Sequence, residues 1–199
     1  MNVEINFKLA NEWKEECIRV AKEIDLFPEN VINKLNDVGI QIIYKPIPED
    51  GNIIFGYAEF GGFYLDKGQL VFKQPMVYVY HKNYSTFDKF FDLLKKKGLY
   101  SSELEKMIRN LFTEEDLFET YNQSGMDHEL LGHIGSWLSD KKGDERDACT
   151  VEHQVAIYRG KENEKWRYAA KFIPIFQEKH RRIPLIEYNP SLTLLNPSL

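Results

Sequence analysis

An α+β domain is predicted by three features of this 199-residue chain. Apolar residues recur at three- and four-residue steps in the first 38 positions. Residues 40–81 are rich in β-branched and aromatic residues and are broken by glycines. From Ser85 onward the helical stripes return and persist. The expected order is therefore N-terminal helices, a small antiparallel sheet, and a mainly helical C-terminal half.

Each element follows from local pattern. Trp13, Cys17, Val20, Ala21, Ile24 and Phe27 form one stripe of a helix over 9–27. Pro28 suits the first turn of a second helix, which Gly39 closes. Ile40–Tyr44, Ile53–Phe60, Phe63–Leu65 and Leu70–Tyr80 read as strands, punctuated by Gly51, Gly61-Gly62 and Asp66-Lys67-Gly68. Pro75 cannot donate to a ladder, so the last run is expected at an edge or with a bulge. Phe87, Phe90, Phe91 and Leu94 mark a helix that ends at Gly98, and Ser101 and Thr113 are capping residues for the two that follow. A further helix is expected to begin near Ser124 or Gly125 and to end near Asp140, another runs from Asp144 past Tyr158, and one covers 164–180 with a kink at Pro174. Pro184, Pro190 and Pro197 make 184–199 an extended tail. No repeat or linker divides the chain. One domain is expected, with helices and sheet in 1–84, a helical half in 85–183 and the tail beyond.

Composition narrows the function. Apolar residues at 43% and aromatics at 14% argue for a packed core. The net charge of −5 is spread along the chain, which gives no electrostatic case for nucleic acid or anionic membranes as partners. Cys17 and Cys149 form neither a CxxC pair nor a disulfide framework. Met1–Ala10 shows no secretory signal, and no apolar run approaches the roughly 20 residues of a membrane span. A reducing, cytoplasmic location is the resulting expectation. The pattern says nothing of oligomeric state.

The chemistry concentrates in His128-Glu129-Leu130-Leu131-Gly132-His133. Five steps on a regular α-helix leave the two imidazoles about 140° apart, too divergent to share an ion. A π-bulge, which widens the helix by one residue, brings His133 back under His128. Gly132 tolerates such a backbone at least steric cost. The six residues then read as a metal site with an acid beside it.

HELLGH resembles the signature of the dipeptidyl peptidase III family and, more broadly, the gluzincins, which are zinc hydrolases of zincin-like fold. The likeness covers these six residues, and that family's second motif, Glu-Glu-Cys-Arg-Ala-Glu, is absent. The resemblance implies Zn2+ as cofactor, His128 and His133 as ligands, a glutamate on a later helix as third ligand, and Glu129 as general base. Glu152 is the glutamate chosen: it lies 19 residues beyond His133, on a helix expected to pack antiparallel, and Ala148 and Ala156 flank it with small side chains. Glu145 and Asp144 are its rivals nearer the loop. Two imidazoles and a carboxylate favour zinc over iron or manganese.

A donor to the anionic intermediate is sought among Tyr158, Tyr168 and His180, of which His180, ahead of Arg181-Arg182, is the nearest analogue of the late histidine in related enzymes. Asp127 is read as an acid favouring a helix N-terminus, and Cys149 as an inert buried thiol with access to the metal face. The leading expectation is a small zinc metallopeptidase acting on a peptide or small amide. A metal-dependent amidase on a non-peptide substrate and a non-catalytic metal-binding regulatory module remain open beside it.

Overall fold

A computed structural model describes residues 6–45, 55–81, 86–96 and 98–181, with side chains described through Pro174. The expected tail and the side chain of His180 lie outside that range. Among the described residues the α+β architecture appears in the expected order. No helix there is long and apolar enough to cross a membrane.

Helix α1 (Phe7–Glu23) begins at Asn6, whose side chain accepts a hydrogen bond from the Leu9 amide at 2.9 Å. Its stripe of Ala10, Trp13, Cys17, Val20 and Ala21 is buried. Helix α2 (Glu29–Asn36) packs against it and ends before Gly39. Gly39 instead opens a strand, and a Cβ there would lie 2.2 Å from the Met76 sulfur. The glycine serves a close approach, not a helix end.

The sheet is mixed where an antiparallel one was expected. Strand β1 (Gly39–Ile43) pairs parallel to β5 (Met76–Tyr80), and β2 (Gly56–Glu59) pairs antiparallel to β5. The order is β1-β5-β2, so β5 is central. Pro75 produces neither an edge strand nor a bulge. It separates β5 from β4 (Gln69–Lys73), which forms its own hairpin with β3 (Gly62–Asp66). Val77 and Val79 of β5 are fully buried against α1 and the helices of the second half.

Helices α3 (Phe87–Lys96) and α4 (Ser102–Leu111) build a second cluster around Phe90, Phe91, Leu94 and Ile108. Ser101 caps α4 as expected, accepting from the Leu104 amide at 3.1 Å. Thr113 and Asp116 form a reciprocal capping box at the start of α5 (Glu114–Met126). The motif does not start a helix of its own. Residues 114–138 run on without a break: α5 passes into a π-helical segment (Asp127–Gly135) and then a short α6 (Ser136–Leu138). Ser124 and Gly125 lie inside this helix. Gly125 answers to packing, since a Cβ there would meet the Phe55 ring at 2.3 Å.

The widened turn expected from the spacing is therefore present, and it covers all of HELLGH. Leu130, Leu131 and Ile134 are fully buried within it. At about 1.5–3 kcal/mol for each such side chain, packing outweighs the poorer hydrogen bonding of a π-helix. Helix α7 (Glu145–Gly160) lies against the segment, and α8 (Glu164–Arg181), with Pro174 inside it, packs on α7.

Candidate metal centre

The π-turn sets the His128 and His133 rings 4.9 Å apart, nearly perpendicular at 86°. Each ring is held by its Nδ1. His133 Nδ1 lies 2.7 Å from the Gly143 carbonyl oxygen. That oxygen can only accept, so Nδ1 carries a proton, and it is Nε2 that the neutral ring would offer to a metal. His128 Nδ1 lies 3.0 Å from Glu152 Oε2, and the other Glu152 oxygen accepts from Ser124 Oγ at 2.6 Å. The carboxylate accepts there too, so His128 likewise carries a proton on Nδ1.

Glu145 meets the Nε2 atoms of both rings. Its carboxylate oxygens lie 3.3 Å from His128 Nε2 and 3.6 Å from His133 Nε2. Ligands about 2.0–2.1 Å from a tetrahedral zinc ion stand roughly 3.3–3.4 Å from one another. Each of the two contacts is close to that spacing, with a different oxygen of Glu145 facing each ring. The geometry puts Glu145, and not the expected Glu152, on the Nε2 side. Glu152 occupies the outer position, where a carboxylate orients a ligating imidazole and raises its basicity.

Glu129 lies beside the pair, with Oε2 3.9 Å from His133 Nε2. One donor atom from each of His128, Glu129 and His133 falls within 4.8 Å of the others, and the same holds for His128, Glu145 and Cys149. Cys149 is buried, and burial pushes its thiol above the usual range while His128 pulls it down.

The chain matches no protein-family model, no curated protein and no solved structure. What this site can do rests on its own geometry.

Helix α7 presents Glu145, Cys149 and Glu152 on one face, four and three residues apart. Gly132 lets that face come close: a Cβ at Gly132 would lie 2.5 Å from Ala148 Cα and 2.8 Å from its Cβ. Gly143 has φ +64° and sits under the His133 carbonyl, where a Cβ would approach to 2.5 Å. Asp144 caps α7 as expected, accepting from the amides of Arg146 and Asp147.

Asp127 is not an acid at a helix N-terminus. It is fully buried in mid-helix and paired with Arg159 of α7 through contacts of 2.6 and 3.2 Å. Burial pushes its carboxyl up to about 6, against the pull of Arg159. Cys17 Sγ also donates to Asp127, at 3.1 Å. Of the three expected oxyanion donors, Tyr158 is engaged elsewhere, donating to Glu23 at 3.0 Å. Tyr168 of α8 lines the cavity in front of the histidines.

That cavity encloses about 640 Å³. Gly56, Tyr57 and Ala58 of β2 line one side of it. Among the described residues β2 pairs only with β5, and its second edge carries no strand.

Proposed function

We propose that this protein is a zinc-dependent hydrolase of peptide or small amide bonds. One observation carries the reading. Two imidazoles, each held at Nδ1, turn their Nε2 atoms toward the two oxygens of one carboxylate, 3.3 and 3.6 Å away, with a further carboxylate alongside. The resemblance of HELLGH to the gluzincin signature points the same way, and two imidazoles with a carboxylate suit zinc.

The residues present fit such an ion. His128, His133 and Glu145 would hold it, and when bound it supplies Lewis acidity that acidifies water and polarises a carbonyl. Glu152 keeps His128 in the ligating tautomer, as the Gly143 carbonyl does for His133. Glu129 takes the proton from the attacking water and returns it to the departing amine. Strand β2, on the cavity wall and without a strand on its second edge among the described residues, offers main-chain partners to an extended substrate. Tyr168 is the sequence-derived donor that lies on the cavity wall, available to a developing oxyanion.

A second reading has Cys149 in its favour. With the thiolate as a fourth protein ligand the shell closes, and closed shells are structural. Cobalt substitution separates the two, since a thiolate ligand gives an intense near-ultraviolet charge-transfer band that an open His-His-Glu site lacks.

The direct test measures zinc and turnover together. Wild type is expected to bind one zinc and to cleave members of a mixed peptide library in a chelator-sensitive way. Glu129→Gln is expected to keep the zinc and lose at least about 10²-fold in turnover. A zinc-loaded Glu129→Gln protein with full activity removes Glu129 from the mechanism. A wild type that binds no zinc from a metal-replete solution removes the reading itself.

A further inference from the structure

The metal site opens into a chamber whose walls describe a ligand. Phe55, Leu94, Ile108, Phe112, Phe172 and Ile173 give it a continuous apolar lining drawn from the sheet side, α3, α4 and α8. Its floor is one face of α5. Leu117, Thr120, Tyr121, Ser124, Gly125 and His128 line the chamber at three- and four-residue steps, so the apolar channel runs along the helix straight to the first histidine. The polar groups gather at that end. Glu129, Asp144, Glu145 and Glu152 all line it, and among the described lining residues there is no lysine or arginine. A divalent ion would neutralise only half of those four carboxylates. The volume of about 640 Å³ is that of a small-ligand site, in the range of roughly 300–1,000 Å³.

Resting on the hydrolase reading, we infer that the substrate is a short peptide or amide with a free amino group next to the scissile bond and a large apolar side chain. The ammonium group lies among the carboxylates, where the residual negative charge attracts it and repels an anion. The apolar side chain enters the chamber and leaves water behind. An acylated amine forfeits the first interaction, and a glycine forfeits the second.

The test is calorimetry on zinc-loaded Glu129→Gln protein, which binds without consuming the ligand. Three probes are compared: leucyl-phenylalanine amide, its N-acetyl form, and glycyl-glycine amide. The first is expected to bind at least tenfold tighter than either of the others. Thr120 is half-buried on the chamber floor. Thr120→Phe is expected to weaken the first probe about tenfold and leave glycyl-glycine amide and zinc content unchanged. Should Thr120→Phe disturb folding, Ala169→Phe on the α8 wall makes the same test, since Ala169 is also half-buried and lines the chamber. Equal binding of the acetylated probe, equal binding of the glycine probe, or indifference to both chamber-filling variants overturns the inference. Zinc content is read in parallel. If no zinc binds, the hydrolase reading falls, and the same three probes on the metal-free protein decide the chamber's preference separately.

Discussion

Gly132→Ala isolates the contact that positions the site. A methyl group at this position would lie 2.5 Å from Ala148 Cα and 2.8 Å from both its Cβ and its carbonyl oxygen. Carbon atoms pack at about 3.5–4.0 Å, so α7 must retreat by roughly 1 Å. Glu145 rides on α7, and its oxygens stand 3.3 and 3.6 Å from the two Nε2 atoms. A retreat of that size carries them beyond about 4 Å, outside the spacing of roughly 3.3–3.4 Å that tetrahedral zinc imposes on its ligands. Overpacking costs about 1–3 kcal/mol, offset by about 1 kcal/mol from alanine's better helix propensity, for a net loss of roughly 0–2 kcal/mol. Zinc affinity should suffer more than stability, falling at least about tenfold. Urea unfolding reads the first quantity and competition with a chromogenic chelator the second. Because the nearest atom is a backbone Cα, adding Ala148→Gly should not rescue zinc binding. Wild-type affinity in Gly132→Ala, or full rescue in the double variant, would refute the argument that backbone approach sets the ligand spacing.

Three other perturbations test the assignments around the ion and its supports. Glu152→Gln is expected to weaken zinc about 10–100-fold by loosening His128, and Glu145→Gln to weaken it further, both read by chelator competition; the reverse order would return the ligand role to Glu152. Arg159→Met strands a buried Asp127 and should cost about 3–5 kcal/mol in urea unfolding, while Asp127→Asn with Arg159→Met should regain most of it; an unaffected single variant would mean the pair is not desolvated. Lys165 and Thr113 hold the Asp116 carboxyl down to about 2, from an ordinary value of 3.8. Its ion pair with Lys165, which ties α5 to α8, therefore contributes above pH ~4 and is lost as pH falls through ~2. Asp116→Asn should then lower stability by about 1–2 kcal/mol near neutral pH, allowing for partial exposure, with the gap closing at low pH; a constant gap would assign the effect to the helix cap alone.

Much of this was legible in one dimension. The five-residue histidine spacing with Gly132 identified a π-turn because a regular helix has no other way to bring those rings together. Ser101, Thr113 and Asp144 were readable as caps because capping depends on three or four consecutive residues. What failed depended on distant contacts. Pro75 looked like an edge marker, but the strand after it is paired on both sides by segments the local pattern could not place. Gly39 and Gly125 looked like helix punctuation, and both instead admit a side chain from far along the chain. Asp127 had an ordinary local explanation, and only the fold brings Arg159 to it. Which ring nitrogen Glu145 and Glu152 each face was not legible either. Both lie on one face of α7, and sequence spacing does not encode ring orientation.

The register between the π-segment and α7 explains why these assignments stand or fall together. Asp127 meets Arg159, His128 meets Glu152, Gly132 meets Ala148, and His133 meets Gly143 just ahead of α7. As residue numbers rise along one element they fall along the other, which defines an antiparallel pair fixed at four levels. A buried ion pair closes one end, a glycine–alanine approach sets the separation in the middle, and a ring-to-carbonyl hydrogen bond closes the other end. Within that frame Glu145, the first residue of α7, is the carboxylate level with both Nε2 atoms. A slip of one helical turn would present Cys149 in its place and exchange an oxygen donor for a sulfur. The clamp at Arg159 and Gly132 thus decides which side chain of α7 faces the histidine pair, the Glu145 carboxylate or the Cys149 thiol.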